Sequence, residues 1–97
     1  MIPVAQLPEA AMDIRRAAEF YARESRGLGA EFLREFESVI MLLSENPEIG
    51  VLTRGGARKL VMRRFPYVVI YRVQPESVLV LAVGHQRQSP DFWIERL

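Results

Sequence analysis

Residues 58–87 carry the sequence RKLVMRRFPYVVIYRVQPESVLVLAVGHQR, in which three apolar runs are separated by short polar breaks. The runs are rich in Val, Ile and Tyr, whose branched or aromatic side chains fit the pleated surface of a strand. They predict three consecutive β-strands over residues 58–64, 67–73 and 78–85. Because their connections are short, we expect these strands to pair as antiparallel neighbours.

The second predicted strand is apolar on both of its alternating faces, with Val68 and Ile70 on one side and Val69 and Tyr71 on the other. The third strand shows the same character, with Leu79, Leu81 and Val83 on one side and Val78, Val80 and Ala82 on the other. Strands of this kind lie in the centre of a sheet that is covered on both sides. Tyr67 and Tyr71 have the same parity, and we expect both in the core rather than on a stacking surface.

Two amphipathic helices are predicted before the strands. The first spans residues 8–25 with Pro8 in its opening turn, and its apolar stripe consists of Ala10, Ile14, Ala17, Ala18 and Tyr21. Gly27 is suited to the left-handed conformation that ends such a helix. The second helix spans residues 29–45, stops before Pro47, and is expected to bury Phe32, Leu33, Phe36, Ile40 and Leu43.

Three shorter segments complete the order of elements. Met1–Leu7 is predicted to be an edge strand, and the glycine-rich residues 48–57 are predicted to be a loop. Ser89 and Pro90 are typical of the start of a short terminal helix. The expected fold is therefore α+β, with the order β-α-α-β-β-β and a closing helix, in one domain over residues 1–97.

Charge is distributed unevenly along the chain. Residues 1–50 hold nine acidic residues against five Arg, whereas residues 51–97 hold three acidic residues against eight bases: Arg54, Arg58, Lys59, Arg63, Arg64, Arg72, Arg87 and Arg96. Arg binds phosphates and carboxylates with two parallel hydrogen bonds, so this half predicts a face for a nucleic acid or an acidic protein segment. The alternative is that acids of the helices pair with bases of the sheet inside the domain.

Several classes of site and location are excluded or made improbable. Without Cys the chain has no disulfide or thiolate metal site, and one His alone makes a zinc site improbable. No phosphate-binding or dinucleotide glycine motif is present. The longest apolar run, Val78–Val83, is far too short to cross a bilayer, and the start lacks a signal-peptide pattern. We expect a cytoplasmic domain that needs no cofactor, no metal and no membrane.

Five motifs along this order of elements resemble the RelE/ParE superfamily of bacterial toxins from type II toxin–antitoxin systems. They are Gly27-Leu28-Gly29, Asn46-Pro47 with Gly50, Arg64-Phe65-Pro66-Tyr67, Tyr71-Arg72-Val73, and Val83-Gly84-His85-Gln86-Arg87 followed by Pro90, Phe92-Trp93 and Arg96. The resemblance covers nearly the whole chain and implies a helical hairpin packed on a small, mainly antiparallel sheet. It also implies a growth-inhibiting toxin of the plasmid stabilisation type, held inactive by a cognate antitoxin that wraps it.

The resemblance implies two targets. ParE-like members poison DNA gyrase, and RelE-like members are metal-independent endoribonucleases that cleave messenger RNA on the ribosome. Lys59 matches a basic position of the RelE-like site, but Val61, Val68 and Phe92 replace groups that such a site is expected to contain. These departures favour the ParE-like branch. A relic that binds antitoxin or nucleic acid without toxicity is a third reading, and the oligomeric state, including a homo-oligomer, stays open.

The candidate site residues follow from the resemblance and from the charge pattern. Catalytic candidates are His85, Arg87 and Lys59, with His85 able to act as a general acid or base near neutral pH. The structural alternative for His85 is a hydrogen bond to a carbonyl or packing against Trp93, which together with Phe92 is expected to anchor the terminal helix. Candidates for binding nucleic acid or antitoxin are Arg58, Lys59, Arg63, Arg64, Arg72, Arg87 and Arg96.

Overall fold

The computed structural model describes all 97 residues and shows a five-stranded sheet with two helices packed on one of its faces. In chain order the elements are β1 (Val4–Gln6), α1 (Pro8–Glu24), α2 (Leu28–Glu45), β2 (Val51–Leu52), β3 (Arg58–Val61), β4 (Tyr67–Val73) and β5 (Val78–His85). Two short 3-10 helices lie at Arg54–Gly56 and Ile94–Arg96. Neither α-helix has the length and apolar character that crossing a membrane requires.

The strands lie in the order β1-β5-β4-β3-β2 across the sheet. β2, β3, β4 and β5 pair as antiparallel neighbours, and β1 pairs in parallel with β5, with Val4 opposite Val78. A parallel pair needs a long connection, and here the helical hairpin and the three strands before β5 supply it. The predicted α+β fold, with its N-terminal edge strand and mainly antiparallel sheet, is confirmed.

The helical hairpin turns at Gly27, which adopts the left-handed conformation with φ of 81°. Beyond the turn, a Cβ atom on Gly29 would lie 2.5 Å from the carbonyl oxygen of Ala18, so glycine allows the two helices to approach closely. The predicted stripe of α1 is confirmed, because Ala10, Ile14 and Ala17 are buried against the sheet. This hairpin covers one face of the sheet and forms the larger core with it.

The second face of the sheet has a smaller core of its own. Val68, Ile70 and Leu81 pack there against Trp93 of the C-terminal segment, which is 1% exposed. A bulge places two consecutive residues of β5 on this face: Ile70 pairs with Ala82 and Tyr71 pairs with Val80, which leaves Leu81 as the extra residue. Strict alternation along β5 is therefore broken. Leu81 shares this face with Leu79 as predicted, but Ala82 lies here too and Val83 packs in the larger core, so the predicted faces are wrong for Ala82 and Val83.

Two predictions for the segments on either side of β3 are also wrong. The predicted loop 48–57 contains β2, which pairs with β3, and a turn of 3-10 helix. The strand predicted to reach residue 64 ends at Val61, because the next residues turn toward α2. There the carboxylate of Glu35 accepts the backbone N–H groups of Arg63 and Arg64 at 2.6 Å and 3.1 Å, which draws the chain out of the sheet.

The remaining corrections concern the helices. Leu33, which was predicted to be buried, is 40% exposed, and Val39 is buried instead. The buried stripe of α2 is defined by Phe32, Phe36 and Leu43. Val39 lies on this stripe and Leu33 does not. The terminal helix predicted over residues 89–97 is a series of turns with one 3-10 helix at its end. The segment is held by its side chains, because it is too short for backbone hydrogen bonding alone to keep it helical.

Candidate functional site

A cleft of about 330 Å³ opens on the second face of the sheet, between the ends of β3, β4 and β5 and the C-terminal segment. Its apolar lining consists of Val61, Val68, Ile70, Phe92 and Trp93. Its polar lining consists of Lys59, His85, Gln86, Gln88 and Ser89. Two of the predicted catalytic candidates, Lys59 and His85, therefore share one cleft, and we refer to it as the Lys59–His85 cleft.

His85 occupies the last position of β5 and is held from two sides. Its Nδ1 atom accepts the backbone N–H of Arg87 at 3.0 Å, and its own backbone N–H donates to Oε1 of Gln88 at 3.0 Å. Its ring packs edge-on against Tyr67, with 5.3 Å between the ring centroids. The aromatic neighbour is thus Tyr67 rather than Trp93, and burial, followed by the charge of Tyr21, raises the pKa of the Tyr67 phenol.

The hydrogen bond to Nδ1 determines what the imidazole of His85 can do. In the neutral ring, the nitrogen that accepts a hydrogen bond has no proton, so the proton is on Nε2. Neither nitrogen then has a free lone pair for taking a proton from a substrate hydroxyl. In this arrangement His85 is a hydrogen-bond donor toward the cleft rather than a general base.

Lys59 is the only Lys or Arg among the residues that line the cleft. It is exposed on β3 opposite Ile70. Its cross-strand partners, Val51 and Ile70, are apolar, and Phe92, which lines the cleft from the C-terminal segment, has no hydroxyl group. A Cβ atom on Gly84 would collide with Cζ of Phe92, so glycine at this position of β5 makes room for the ring.

Three of the predicted binding residues are engaged within the protein. The guanidinium of Arg58 donates to the carbonyl oxygens of Glu48 at 3.0 Å and Gly50 at 2.8 Å. Arg64 pairs with Glu31 at 2.8 Å, and Arg96 pairs with Asp13 at 2.6 Å. The last two pairs join an acid of a helix to a base of the basic half, as the alternative interpretation of the charge pattern expects.

The other three predicted Arg residues form no ion pair. Arg63 and Arg87 lie near the end of the sheet where Tyr67 pairs with His85, and Arg72 lies toward the opposite end. Arg63 is in the β3–β4 connection, Arg72 is near the end of β4 opposite Leu79, and Arg87 follows β5. None of them lines the Lys59–His85 cleft. Of the predicted bases, Lys59 alone lines this cleft.

Gln86 and Gln88 also line the cleft and were not among the predicted site residues. The available signal was the polar run Gln86–Ser89 directly after an apolar strand, since residues that follow central strands often line sites. No group of three or more His, Cys, Asp or Glu side chains lies close enough together to hold a metal ion.

Residues 4–90 match the family model described as the ParE toxin of the type II toxin–antitoxin system parDE. The chain belongs to this family. The match covers both helices and all five strands, including every residue of the sheet that lines the cleft. Membership makes the chain a toxin of a toxin–antitoxin system of the ParDE/RelBE type. No curated protein matches the sequence closely enough to count as a relative.

Solved structures of toxins from the same superfamily share the fold. The chromosomal ParDE toxin–antitoxin system from P. aeruginosa aligns with a TM-score of 0.74 and 19% identity, over 88% of this chain and 96% of that chain. A double mutant of the E. coli toxin RelE in the free state aligns with a TM-score of 0.69 and 17% identity, over 99% of this chain and 97% of that chain. The intact E. coli RelBE toxin–antitoxin complex aligns with a TM-score of 0.66 and 21% identity, over 88% of this chain and 96% of that chain. Since ParE and RelE structures both match, the fold does not separate the two branches.

Proposed function

We propose that this ParE-family toxin arrests growth by binding a protein target, DNA gyrase, and that a cognate antitoxin neutralises it. Residues 4–90 match the ParE family model, which supports the toxin assignment. Related solved structures include complexes of a toxin with its antitoxin, which supports the partner. The observation that favours binding over RNA cleavage is the hydrogen bond from the Arg87 N–H to Nδ1 of His85.

Cleavage of RNA without a metal requires three groups in one place. A base must take the proton of the ribose 2′-hydroxyl, cations must stabilise the charge on the phosphate, and an acid must protonate the leaving oxygen. In the Lys59–His85 cleft, Nδ1 of His85 is occupied and Lys59 is the single cation. Val61, Val68 and Phe92 contribute no ionisable group, so the cleft suits a mixed apolar and polar protein surface better than a phosphate.

The proposal is tested by two assays on the same purified protein. We expect inhibition of DNA supercoiling by purified gyrase, and we expect no messenger cleavage on purified ribosomes above a mock control. In cells, induction should stop growth and activate the DNA damage response, and co-expression of the small gene adjacent to the toxin gene should restore growth. His85→Ala, which removes the imidazole, should remain toxic, with folding of the variant checked by circular dichroism.

The competing function is a ribosome-dependent endoribonuclease that uses His85 and Arg87. This function would replace the gyrase proposal if the wild-type protein cleaves messenger RNA and does not inhibit gyrase. The cleavage should then disappear in His85→Ala. Normal growth despite verified expression of folded protein would contradict both and leave a toxin fold without toxicity.

A further inference from the structure

The Lys59–His85 cleft contains a positive charge and no negative charge. The three strands on which it lies, β3, β4 and β5, have no Asp or Glu in their sequences. On the C-terminal segment, Asp91 is paired with Arg54, and Glu95 is exposed and does not line the cleft. Lys59 itself forms no ion pair, so its charge is not balanced by any carboxylate of the protein.

Lys59 is also set apart from the other bases. It is the only Lys in the chain, and every other base is Arg. Its neighbour on β3, Arg58, donates to backbone carbonyl oxygens of the protein. Arg72 shares the face of Ile70 by alternation along β4, but it does not line the cleft. The cleft therefore presents one ammonium group, and no guanidinium group competes with it there.

The polar side of the cleft carries further hydrogen-bond donors. Nε2 of neutral His85 holds the ring proton, because Nδ1 accepts the N–H of Arg87. Gln88 uses its Oε1 atom to accept the N–H of His85, and its NH₂ group has no partner within the protein. An ammonium group, an imidazole N–H and an amide NH₂ all donate, so this side of the cleft suits an acceptor with a negative charge.

The apolar side of the cleft makes the charge of the occupant matter more. Lys59 stands between Val51 and Ile70 on the neighbouring strands, and Val61 lines the cleft beside it. A partner that covers the cleft removes water from the ammonium group, and a buried charge without a counter-charge is costly. Because the cleft contains no carboxylate, the occupant has to bring one.

Two features favour a carboxylate over the phosphate of a nucleic acid. Nucleic acids are bound through several cations on successive phosphates, and the cleft has one. Single-stranded RNA is also held by bases that stack on accessible rings, whereas Trp93 is 1% exposed. The cleft volume of about 330 Å³ is at the small end of the range for ligand sites, which suits one or two side chains of a protein.

We propose that the Lys59–His85 cleft receives an acidic side chain of the target protein, a Glu or Asp whose carboxylate binds the ammonium group of Lys59 and the Nε2–H of His85. An apolar residue next to this acid packs on Val61 and Ile70. The inference rests on the proposed function, because the target protein is DNA gyrase. It assigns Lys59 to recognition of the target rather than to catalysis.

The first test measures the dissociation constant between purified gyrase and each toxin variant by biolayer interferometry. Lys59→Met removes the charge and keeps the length of an exposed side chain, so the variant should fold. It should weaken binding about tenfold or more, as expected for the loss of a charged hydrogen bond. Lys59→Arg keeps the charge and should restore most of the affinity.

Two further variants serve as comparisons. Arg72→Met removes a cation from the same face of the sheet but outside the cleft, so it is the matched control and should bind gyrase as the wild type does. His85→Ala removes a neutral donor and leaves the ammonium group in place. Its affinity should fall less than that of Lys59→Met, and the variant should still be toxic when induced.

The second test identifies the chemistry of the occupant. A carbodiimide joins an amine to a carboxylate only where the two groups are in contact, and Lys59 provides the only Lys amine of the toxin. Treatment of the toxin–gyrase complex should therefore link Lys59 to a Glu or Asp of gyrase, which mass spectrometry locates. Lys59→Arg should bind gyrase without giving this link, because a guanidinium group does not react.

Three results would overturn the inference in different ways. If the wild-type toxin inhibits gyrase and Lys59→Met binds gyrase equally well, the toxin contacts its target elsewhere and the proposed function stands. If Lys59→Met weakens binding but the wild type gives no link at Lys59, the ammonium group acts without contacting a carboxylate. If the wild-type protein does not bind gyrase, the proposed function itself fails, and loss of messenger cleavage in Lys59→Met would then assign the cleft to an RNA phosphate.

Discussion

Arg96 and Asp13 together close the part of the β5 edge that β1 does not reach. The two side chains pair at 2.6 Å, Arg96 donates to the carbonyl oxygen of Leu81 at 3.0 Å, and Asp13 accepts the N–H of Val83 at 3.0 Å. β1 ends its pairing with β5 at Val80. The ion pair thus takes the place of a further strand and joins the C-terminal segment to α1.

Breaking this pair should cost more than breaking an exposed pair. Asp13→Ala leaves Arg96 without its carboxylate and the Val83 N–H without an acceptor, and both partners are largely shielded, with side chains 21% and 10% exposed. We expect a loss of about 2–4 kcal/mol in the free energy of unfolding, measured by urea denaturation. Arg54→Ala, which breaks the exposed pair with Asp91, is the control and should cost less than about 1 kcal/mol. Equal losses for the two variants would show that the β5 edge does not depend on Asp13.

Trp93 should be the main anchor of the C-terminal segment. It is 1% exposed, packs against Val68, Ile70 and Leu81, and donates from Nε1 to the carbonyl oxygen of Pro90 at 2.9 Å. Trp93→Ala should reduce the free energy of unfolding by about 3–5 kcal/mol, as measured by thermal and urea denaturation.

Arg87→Ala is the companion variant for Trp93, because Arg87 is exposed and its side chain forms no ion pair. Its stability should stay within about 0.5 kcal/mol of the wild type. A Trp93 variant that unfolds at the wild-type temperature would mean that the second face of the sheet is covered without this ring.

Glu35 should hold the β3–β4 connection against α2. Its carboxylate accepts the backbone N–H groups of both Arg63 and Arg64, and Glu35→Ala leaves these donors without a partner. We expect a loss of about 1–3 kcal/mol and faster amide hydrogen exchange at residues 63 and 64. Glu37→Ala, on the exposed side of the same helix, should change neither quantity. Unchanged exchange in Glu35→Ala would contradict the predicted role.

Stability should fall in alkaline solution because burial raises the pKa of Tyr21, Tyr67 and Tyr71 in the folded protein. A tyrosine in the unfolded chain ionises near pH 10. Below that pH both states hold the proton and the contribution is fully present, and it is lost as the pH rises toward the higher pKa of the folded state. The free energy of unfolding should therefore be level from about pH 8 to pH 9.5 and decrease above about pH 10.

Tyr71→Phe separates two effects of this residue. The hydroxyl oxygen of Tyr71 accepts the N–H of Gly50 at 2.8 Å, so the variant should be less stable than the wild type at neutral pH. It should also lose less stability than the wild type between neutral and alkaline pH, because one of the three ionising groups is gone. An unchanged alkaline slope would show that the Tyr71 hydroxyl does not control it.

The elements of the fold could be predicted wherever a short segment decides its own structure. The apolar runs around Val69 and Val80 predict central strands, and the helical stripe from Ala10 to Ala17 predicts the face of α1 that is buried. Gly27 predicts the turn of the hairpin, and its φ of 81° is one that glycine adopts without strain. These predictions are correct because periodicity and backbone preference act over a few neighbouring residues.

The candidate site was only partly predictable. Lys59 and His85 were named from the sequence and do share a cleft, whereas Arg58, Arg64 and Arg96 are bound to groups of the protein itself. No pattern in the sequence distinguishes an Arg that meets an internal acid from one that faces solvent. The partner is decided by which elements come together across the domain.

The two helices, the strands β1, β3, β4 and β5 and the family of the chain follow from the sequence, since each depends on residue types and spacing along the chain. The bulge at Leu81 and the closure of the β5 edge by Asp13 and Arg96 follow only from the packed domain. Both depend on contacts between separate segments, and Asp13 and Arg96 are 83 residues apart. Such contacts form only when the whole chain has packed, because no local preference brings their partners together.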